Sequence, residues 1–285
     1  MQNTEINWTE LTWGTVSGCT KLGPECQHCY AYTLAENKRG TKAFPNGFEI
    51  TMRPWKLDEP KKIRRPSLIF CNSTSDWFHE QIPDSYRDDM FAAIEAAPRH
   101  RYQVLTKRPE NAVRYFTTRK VPPSVWLGAT VGVRDGLWRV DALRSIDARV
   151  RFLSCEPLLE QLDGIELGGI HWVIGGGESG FHASTPKLLE SRFMVRRGGK
   201  GEPNWIPRDD RLPWARHLRE ATKASGAAFW WKQHGGPLPK SGGRILDGRT
   251  WDELPTHIPG AMPEGYEHRA AAKQAEAKRQ LTLVA

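Results

Sequence analysis

Three cysteines stand within eleven residues near the N-terminus: Cys19, Cys26 and Cys29, in the run SGCTKLGPECQHCYAY. Their spacing is C-x6-C-x2-C. Clustered thiols early in a long chain point to a metal or cluster site rather than a disulfide framework. Three protein ligands leave a coordination position open, and an open position favours chemistry over scaffolding. Two chemistries compete. In one, the thiolates bind three irons of a [4Fe–4S] cluster and the fourth iron is free for an exogenous ligand. In the other, the three cysteines and one histidine, His28 or His79, bind a structural zinc in a nucleic-acid-binding protein without catalysis. Zinc sites often use two C-x2-C-like pairs, and this chain has one. The single pair and the wide C-x6-C arm favour the cluster.

The elements that must position these thiols follow a rhythm of short apolar strands and longer amphipathic segments. Strands are expected at Leu11–Val16, Ser67–Cys71, Tyr102–Leu105, Val125–Val131, Val150–Ser154, His171–Gly175 and Ala228–Trp231. They are rich in β-branched and aromatic residues and mostly apolar at both parities, as in buried parallel strands. Helices are expected at Cys29–Lys38, Asp84–Ala96, Glu110–Thr118, Gly136–Ile146 and Pro213–Ser225, with Pro83 as a start signal and Gly226 as a stop. The alternation predicts an α/β fold, a partial or irregular (β/α) TIM-like barrel with parallel strands. A doubly wound open sheet is the runner-up. The barrel domain is expected over residues 1–235, with a basic, Gly/Pro-containing insertion at about 190–212 that reads as a lid, a substrate-contacting arm or a surface loop. A C-terminal extension covers 236–285, and Glu267–Gln280 reads as an exposed helix or a frayed tail.

In parallel α/β folds, sites form at the C-terminal ends of the strands. Polar residues gather there throughout this chain: the cysteine loop, then Asn72-Ser73-Thr74-Ser75-Asp76 with His79 nearby, Thr106-Lys107-Arg108, Thr130, Cys155-Glu156, Gly175-Gly176-Gly177-Glu178-Ser179 and Lys232-Gln233-His234. Glu156 and Glu178 can bind an amine or act as acid/base groups, or can pair with a structural Arg or Lys. Lys107 and Arg108 can hold a carboxylate or phosphate, or can be a solvated surface pair. The glycine run permits close backbone approach to a ligand, or a tight turn. Cys71 reads as a small buried hydrophobe. Cys155 is expected closer to the mouth, where a thiol can donate a hydrogen atom to a radical.

Composition narrows the partners. The net charge is +8, with seven Lys/Arg against one acid in residues 99–120 and six against two in 53–65. Such basic segments can track phosphates, so a nucleic acid or nucleotide is the expected partner. The twelve tryptophans can stack on bases but are expected mainly in the core or along a cleft. No run of 18 apolar residues occurs, so no membrane partner is expected. The absence of a basic start with an apolar stretch, together with the cysteine usage, predicts a cytoplasmic setting.

An aromatic ring before the last cysteine, His28 here, completes a resemblance to the radical S-adenosylmethionine superfamily, whose common spacing is C-x3-C-x2-C. The six-residue arm departs from it. A second resemblance covers seven segments in order: NWTELTWGTVSGCTKLGPECQHCYA, FCNSTSDWFHE, YQVLTKRPE, WLGATV, RFLSCEPLL, WVIGGGESG and FWWKQHGG. These are similar to the phage-associated three-cysteine-motif family, found in bacteriophages and bacterial genomes; the tail GRILDGRTWDELP also resembles that family's ending. The resemblances imply Cys19, Cys26 and Cys29 as cluster ligands and S-adenosylmethionine as cofactor. They imply contacts to the methionine amino group from Ser73, Ser75 and Asp76, although NSTSD replaces the superfamily's glycine-glycine-glutamate. Glu156, Gly175, Gly176 and Glu178 are further cofactor candidates, with His28 and Lys107. The implied activity is reductive cleavage of the cofactor to a 5′-deoxyadenosyl radical that abstracts hydrogen from a substrate, with Cys155 and Glu156 as candidate catalytic groups. An electron donor such as a flavodoxin or ferredoxin is implied as a partner, and base repair or modification as the outcome.

Overall fold

The computed structural model describes residues 1–180, 192–238 and 241–266 of the 285-residue chain. In chain order its strands are β1 (Gln2–Asn3), β2 (Leu11–Thr12), β3 (Val16–Ser17), β4 (Thr51–Met52), β5 (Leu68–Phe70), β6 (Arg101–Thr106), β7 (Val125–Thr130), β8 (Val150–Cys155), β9 (Trp172–Gly176), β10 (Val195–Arg197), β11 (Trp205–Pro207) and β12 (Ala228–Gln233). The helices are α1 (Tyr30–Asn37), α2 (Glu59–Lys62), α3 (Asp84–Glu95), α4 (Pro109–Phe116), α5 (Trp138–Arg144) and α6 (Leu212–Ala224).

One eight-stranded sheet runs β1-β2-β5-β6-β7-β8-β9-β12. All its pairs are parallel except β1 with β2. Neighbours in space are neighbours in sequence, with α3, α4, α5 and α6 as crossovers, which is the winding of a (β/α) barrel. β1 and β12 are its two edges, so the sheet is a curled partial barrel, as the alternation of elements predicts. The strand expected at Leu11–Val16 is split into β2 and β3. β3 leaves the large sheet to pair with β4, and this turns the chain into the cysteine loop. Part of the expected loop insertion forms the β10–β11 hairpin. Residues 190–191 of that insertion and the helix or tail expected at Glu267–Gln280 lie outside the described residues.

The two parities of each strand face two different cores. Ile69, Val104, Leu127, Leu153, Val173 and Phe229 pack against the helices, meeting Met90, Ile94, Ala112, Val140, Leu143 and Leu218. Phe70, Trp126, Phe152, Trp172, Ile174 and Trp230 fill the concave side with Trp8 and Ala261. Edge-to-face rings interlock there: Trp8 with Phe70 at 4.8 Å and with Trp172 at 5.9 Å, and Trp126 with Trp172 at 5.6 Å. Each such pair contributes about 0.5–1.5 kcal/mol beyond burial. Gly128 makes room for this packing, because a Cβ there would lie 2.5 Å from the Phe152 ring. The C-terminal segment closes this end. Trp126 Nε1 donates to Ala261 O at 3.2 Å and Trp172 Nε1 to Glu253 O at 2.8 Å. Most tryptophans are thus core, as expected: eight of the twelve are buried.

Farther along the strands the concave parity turns polar: Phe70 is followed by Asn72, Trp126 by Thr130, Phe152 by Ser154 and Glu156, and Trp230 by Lys232. All five polar residues line one cavity. The barrel is apolar and plugged at one end, polar and open at the other.

The plug is tied to α6 by Asp247, which accepts from Arg216 at 2.7 Å and from Arg219 at 2.6 Å. The two guanidiniums hold its carboxyl down at about 2. A depressed carboxyl contributes stability that is complete above its unfolded pKa and vanishes as pH falls through its folded one. Asp247→Asn is therefore expected to cost about 1 kcal/mol at pH 7, allowing for solvent screening. In urea melts at a series of pH values, the gap to wild type should close between roughly pH 4 and 2.

Candidate functional site

The cysteine loop begins where Gly18 bridges to Ser75, its N–H donating to Thr74 O at 3.1 Å. This places Cys19 beside the 72–76 loop. Cys26 ends a short 3-10 turn, Pro24–Cys26, and Cys29 caps α1. All three cysteines line a cavity of about 1200 Å3 at the C-terminal ends of the strands, shared with Ser73, Ser75, Asp76, Lys107, Thr130 and Glu156. Ala31, Ala35, Phe44 and Phe48 form an apolar cluster against which Cys19 and Cys29 pack.

Three arginines from three different connections grip the loop. Arg108, just before α4, donates to Cys19 Sγ at 3.5 Å and to Thr20 Oγ1 at 2.6 Å. Arg139, on α5, pairs with buried Glu25 at 2.8 Å. Arg192, before β10, donates to Gln27 Oε1 at 3.1 Å and to Pro24 O at 3.0 Å. The six-residue arm between Cys19 and Cys26 is therefore pinned at Thr20, Pro24 and Glu25. Burial pushes the Cys19 thiol up to about 11, aided by the Asp76 charge and opposed by Arg108.

Asp76 organises the second loop. Its Oδ1 accepts from Thr106 Oγ1 at 2.7 Å and from Phe78 N at 3.0 Å, and its Oδ2 from Lys107 N at 3.0 Å and Arg108 Nη1 at 3.4 Å. It lines the cavity, yet both its oxygens are engaged with protein donors. Ser75 Oγ has no partner among the described residues. Tyr30 O–H donates to Ser73 O, tying α1 to the same loop. Glu156 and Lys232 form an ion pair of 3.2 Å on the cavity wall. Gly176 is what lets Glu156 lie there: a Cβ at Gly176 would stand 2.7 Å from Glu156 Oε1. Among the described residues the Thr130 hydroxyl is buried without a partner on the same wall.

Five expected site residues are placed elsewhere. Strand alternation turns Ser154 and Glu156 inward, so Cys155 between them points into the helix-side core, not the mouth. Burial there pushes its thiol up. Gly175 likewise faces Leu218 and Trp231 rather than the cavity. Glu178 is off the wall, locked to Arg192 by two contacts of 2.6 Å. This is the structural-pair alternative open to it from the sequence. His28 is half-buried beside this pair and does not line the cavity. His79 is fully enclosed. Its Nδ1 accepts from Gln81 N at 3.1 Å and its Nε2 contacts Thr20 Oγ1 at 2.9 Å, so its ring is spent on structure. Sequence reasoning left Glu25, Arg139 and Arg192 without a role. The signal for Glu25 was an acid inside the cysteine arm; nothing local marked its partner.

Among the described residues no three His, Cys, Asp or Glu side chains converge closely enough to hold a single metal ion. A lone ion needs donors aimed at one point, whereas a cluster takes each thiolate on a different iron, so its sulfurs stand farther apart around one compact core. The three cavity-lining cysteines, backed by apolar side chains and an arginine donor, fit a cluster. No helix among the described residues is long and apolar enough to cross a membrane.

Among solved structures, a cysteine-to-serine variant of spore photoproduct lyase is similar with a TM-score of 0.48 and 14% identity, over 81% of this chain and 78% of that one. Spore photoproduct lyase complexed with dinucleoside spore photoproduct gives 0.47 and 12%, over 76% and 75%. A double variant with bound AdoMet and dinucleoside spore photoproduct gives 0.43 and 13%, over 77% and 75%. No curated protein matches the chain. A family model matches residues 3–190, a stretch that contains the cysteine loop and every strand from β2 to β9, and the chain belongs to that family, protein of unknown function (DUF5131).

Proposed function

We propose that this chain is a radical S-adenosylmethionine-type iron–sulfur enzyme acting on a nucleic acid or nucleotide, in repair or modification of a base. The observation that carries the reading is the gathering of Cys19, Cys26 and Cys29 on the wall of one strand-end cavity. The seven-segment likeness to the phage-associated three-cysteine-motif family supports it. The three cysteines would hold a [4Fe–4S] cluster, which when bound supplies the electron for reductive cleavage of S-adenosylmethionine. The chain's own residues do the rest. Arg108 offsets the cost of a buried thiolate at Cys19 by donating to its sulfur. Asp76 orients Arg108. The free Thr130 hydroxyl and the neighbouring Ser154 offer hydrogen bonds to ligand hydroxyls. The Glu156–Lys232 pair presents an acceptor and a donor to an amino-acid-like ligand. Trp8, Phe70 and Leu105 give the cavity an apolar side that keeps water from a reactive species.

The test is anaerobic reconstitution with iron and sulfide, followed by reduction in the presence of S-adenosylmethionine. The expected result is a brown protein with broad absorbance at roughly 400 nm, releasing 5′-deoxyadenosine and methionine in equal amounts. Stoichiometric zinc with no iron after reconstitution would overturn the reading in favour of a zinc-stabilised binding protein.

A further inference from the structure

We propose that the open side of the cavity is a platform for single-stranded nucleic acid, with Lys38, Lys42 and Lys107 on phosphates and Trp55 under a base. This rests on the nucleic-acid reading above and names the form of the substrate and the surface that takes it.

Size is the first argument. At about 1200 Å3 the cavity exceeds the roughly 300–1000 Å3 of ordinary small-molecule sites, leaving room beyond one cofactor. Charge is the second. Four carboxylates line the cavity: Glu5, Glu59, Asp76 and Glu156. The last three each have a basic partner within 4.0 Å: Lys56 at 3.1 Å, Arg108 at 3.4 Å and Lys232 at 3.2 Å. Lys38, Lys42 and Lys107 line the same cavity, and none has an ion-pair partner among the described residues. Uncompensated ammonium groups around a concave surface recruit an anion that runs along them, and a phosphodiester chain has that form.

The rings are the third argument. Two tryptophans are exposed, Trp55 and Trp138. Trp138 lies away from the cavity with the Arg139 guanidinium 5.8 Å from its ring. Trp55, 55% exposed, lines the cavity without a ring or cation contact among the described residues. It sits in the short turn Pro54–Lys56, where Pro54 restricts the backbone. Tyr30, 52% exposed, offers a second face on the same wall, anchored through its hydroxyl to Ser73 O. Aromatic faces beside a cationic track are how unpaired strands are held, because every unstacked base has a face to lay on a ring. In a duplex those faces are hidden, and an interior cavity could be reached only by a base turned out of the stack.

The experiment is fluorescence anisotropy of the full chain, before and after reconstitution, with a labelled mixed-sequence single strand and with its duplex. The single strand should bind in both states and more tightly than the duplex, weakening as salt rises. The combined Lys38→Ala, Lys42→Ala and Lys107→Ala variant should bind at least about tenfold more weakly and flatten the log–log salt slope by about 2. Trp55→Ala should weaken binding roughly 5- to 100-fold with the salt slope unchanged. These side chains are exposed or half-buried, and thermal melts of each variant check that it folds. Duplex preference, no binding, or variants that bind as wild type does would overturn the proposal. Binding needs no cluster, so cofactor cleavage without strand binding sinks this inference alone. Strand binding without cofactor cleavage sinks the enzymatic reading alone.

Discussion

Cys26→Ala is expected to leave a folded protein that retains little iron, lacks the broad absorbance at roughly 400 nm and releases no 5′-deoxyadenosine above background. Losing a group that merely orients a metal ligand costs about 10–100-fold in affinity or activity. Losing a ligand from a set of three should exceed the upper end of that range. Cys26 closes the turn at Pro24–Cys26 and its side chain is buried, so the substitution removes a sulfur and little packing. The informative comparison is Cys155→Ala. That thiol faces the helix-side core, so its removal should keep both the cluster and cofactor cleavage and cost only about 1 kcal/mol of packing. Iron content, the visible spectrum and product release, measured on both variants after identical anaerobic reconstitution, decide the matter. An intact spectrum in Cys26→Ala, or its loss in Cys155→Ala, would show that the wrong sulfurs were chosen.

Arg192→Met is expected to destabilise the protein by about 3–5 kcal/mol, because it strands the Glu178 carboxylate in a buried site. For a chain of this size that corresponds to a fall in melting temperature of roughly 10 °C. It also frees Pro24 O and Gln27 Oε1, so the cysteine arm should load iron less completely. The double variant Arg192→Met, Glu178→Met separates the two effects. Removing both charges abolishes the desolvation penalty and should restore most of the melting temperature. Iron loading should stay low, because the grip on the arm is still missing. A single variant that melts and loads iron as wild type does would show that Arg192 is incidental to the loop.

The arginine grip also marks where sequence reasoning reached its limit. Glu25, Arg139 and Arg192 are separated by 114 and 53 positions along the chain, so no local pattern links them. Glu178 stood just past an apolar strand and looked like a site residue on that ground. Its role was decided by an arginine delivered from beyond β9, 14 residues further on. Cys155 and Glu156 form a similar case. Cys155 ends β8 and Glu156 follows it, but their parity against the sheet decides which one meets the cavity.

What the sequence by itself determined is what short-range periodicity encodes. Apolar residues at both parities forced buried parallel strands, and helical stretches between them forced crossovers, so the winding of the partial barrel was legible. The strand-end rule then located the cavity mouth, because every parallel strand delivers its last residues to the same side. C-x6-C-x2-C marked its three thiols as candidate metal or cluster ligands through ligand type. Only the tertiary structure decided which strand-end groups are committed to the fold and which stay free: Asp76 and Glu178 are consumed by neighbours, while Thr130 and three lysines are not. The physical reason is that a polar side chain's availability depends on who else is buried beside it. That is a property of contacts spanning a hundred residues or more, which the chain acquires only on closing.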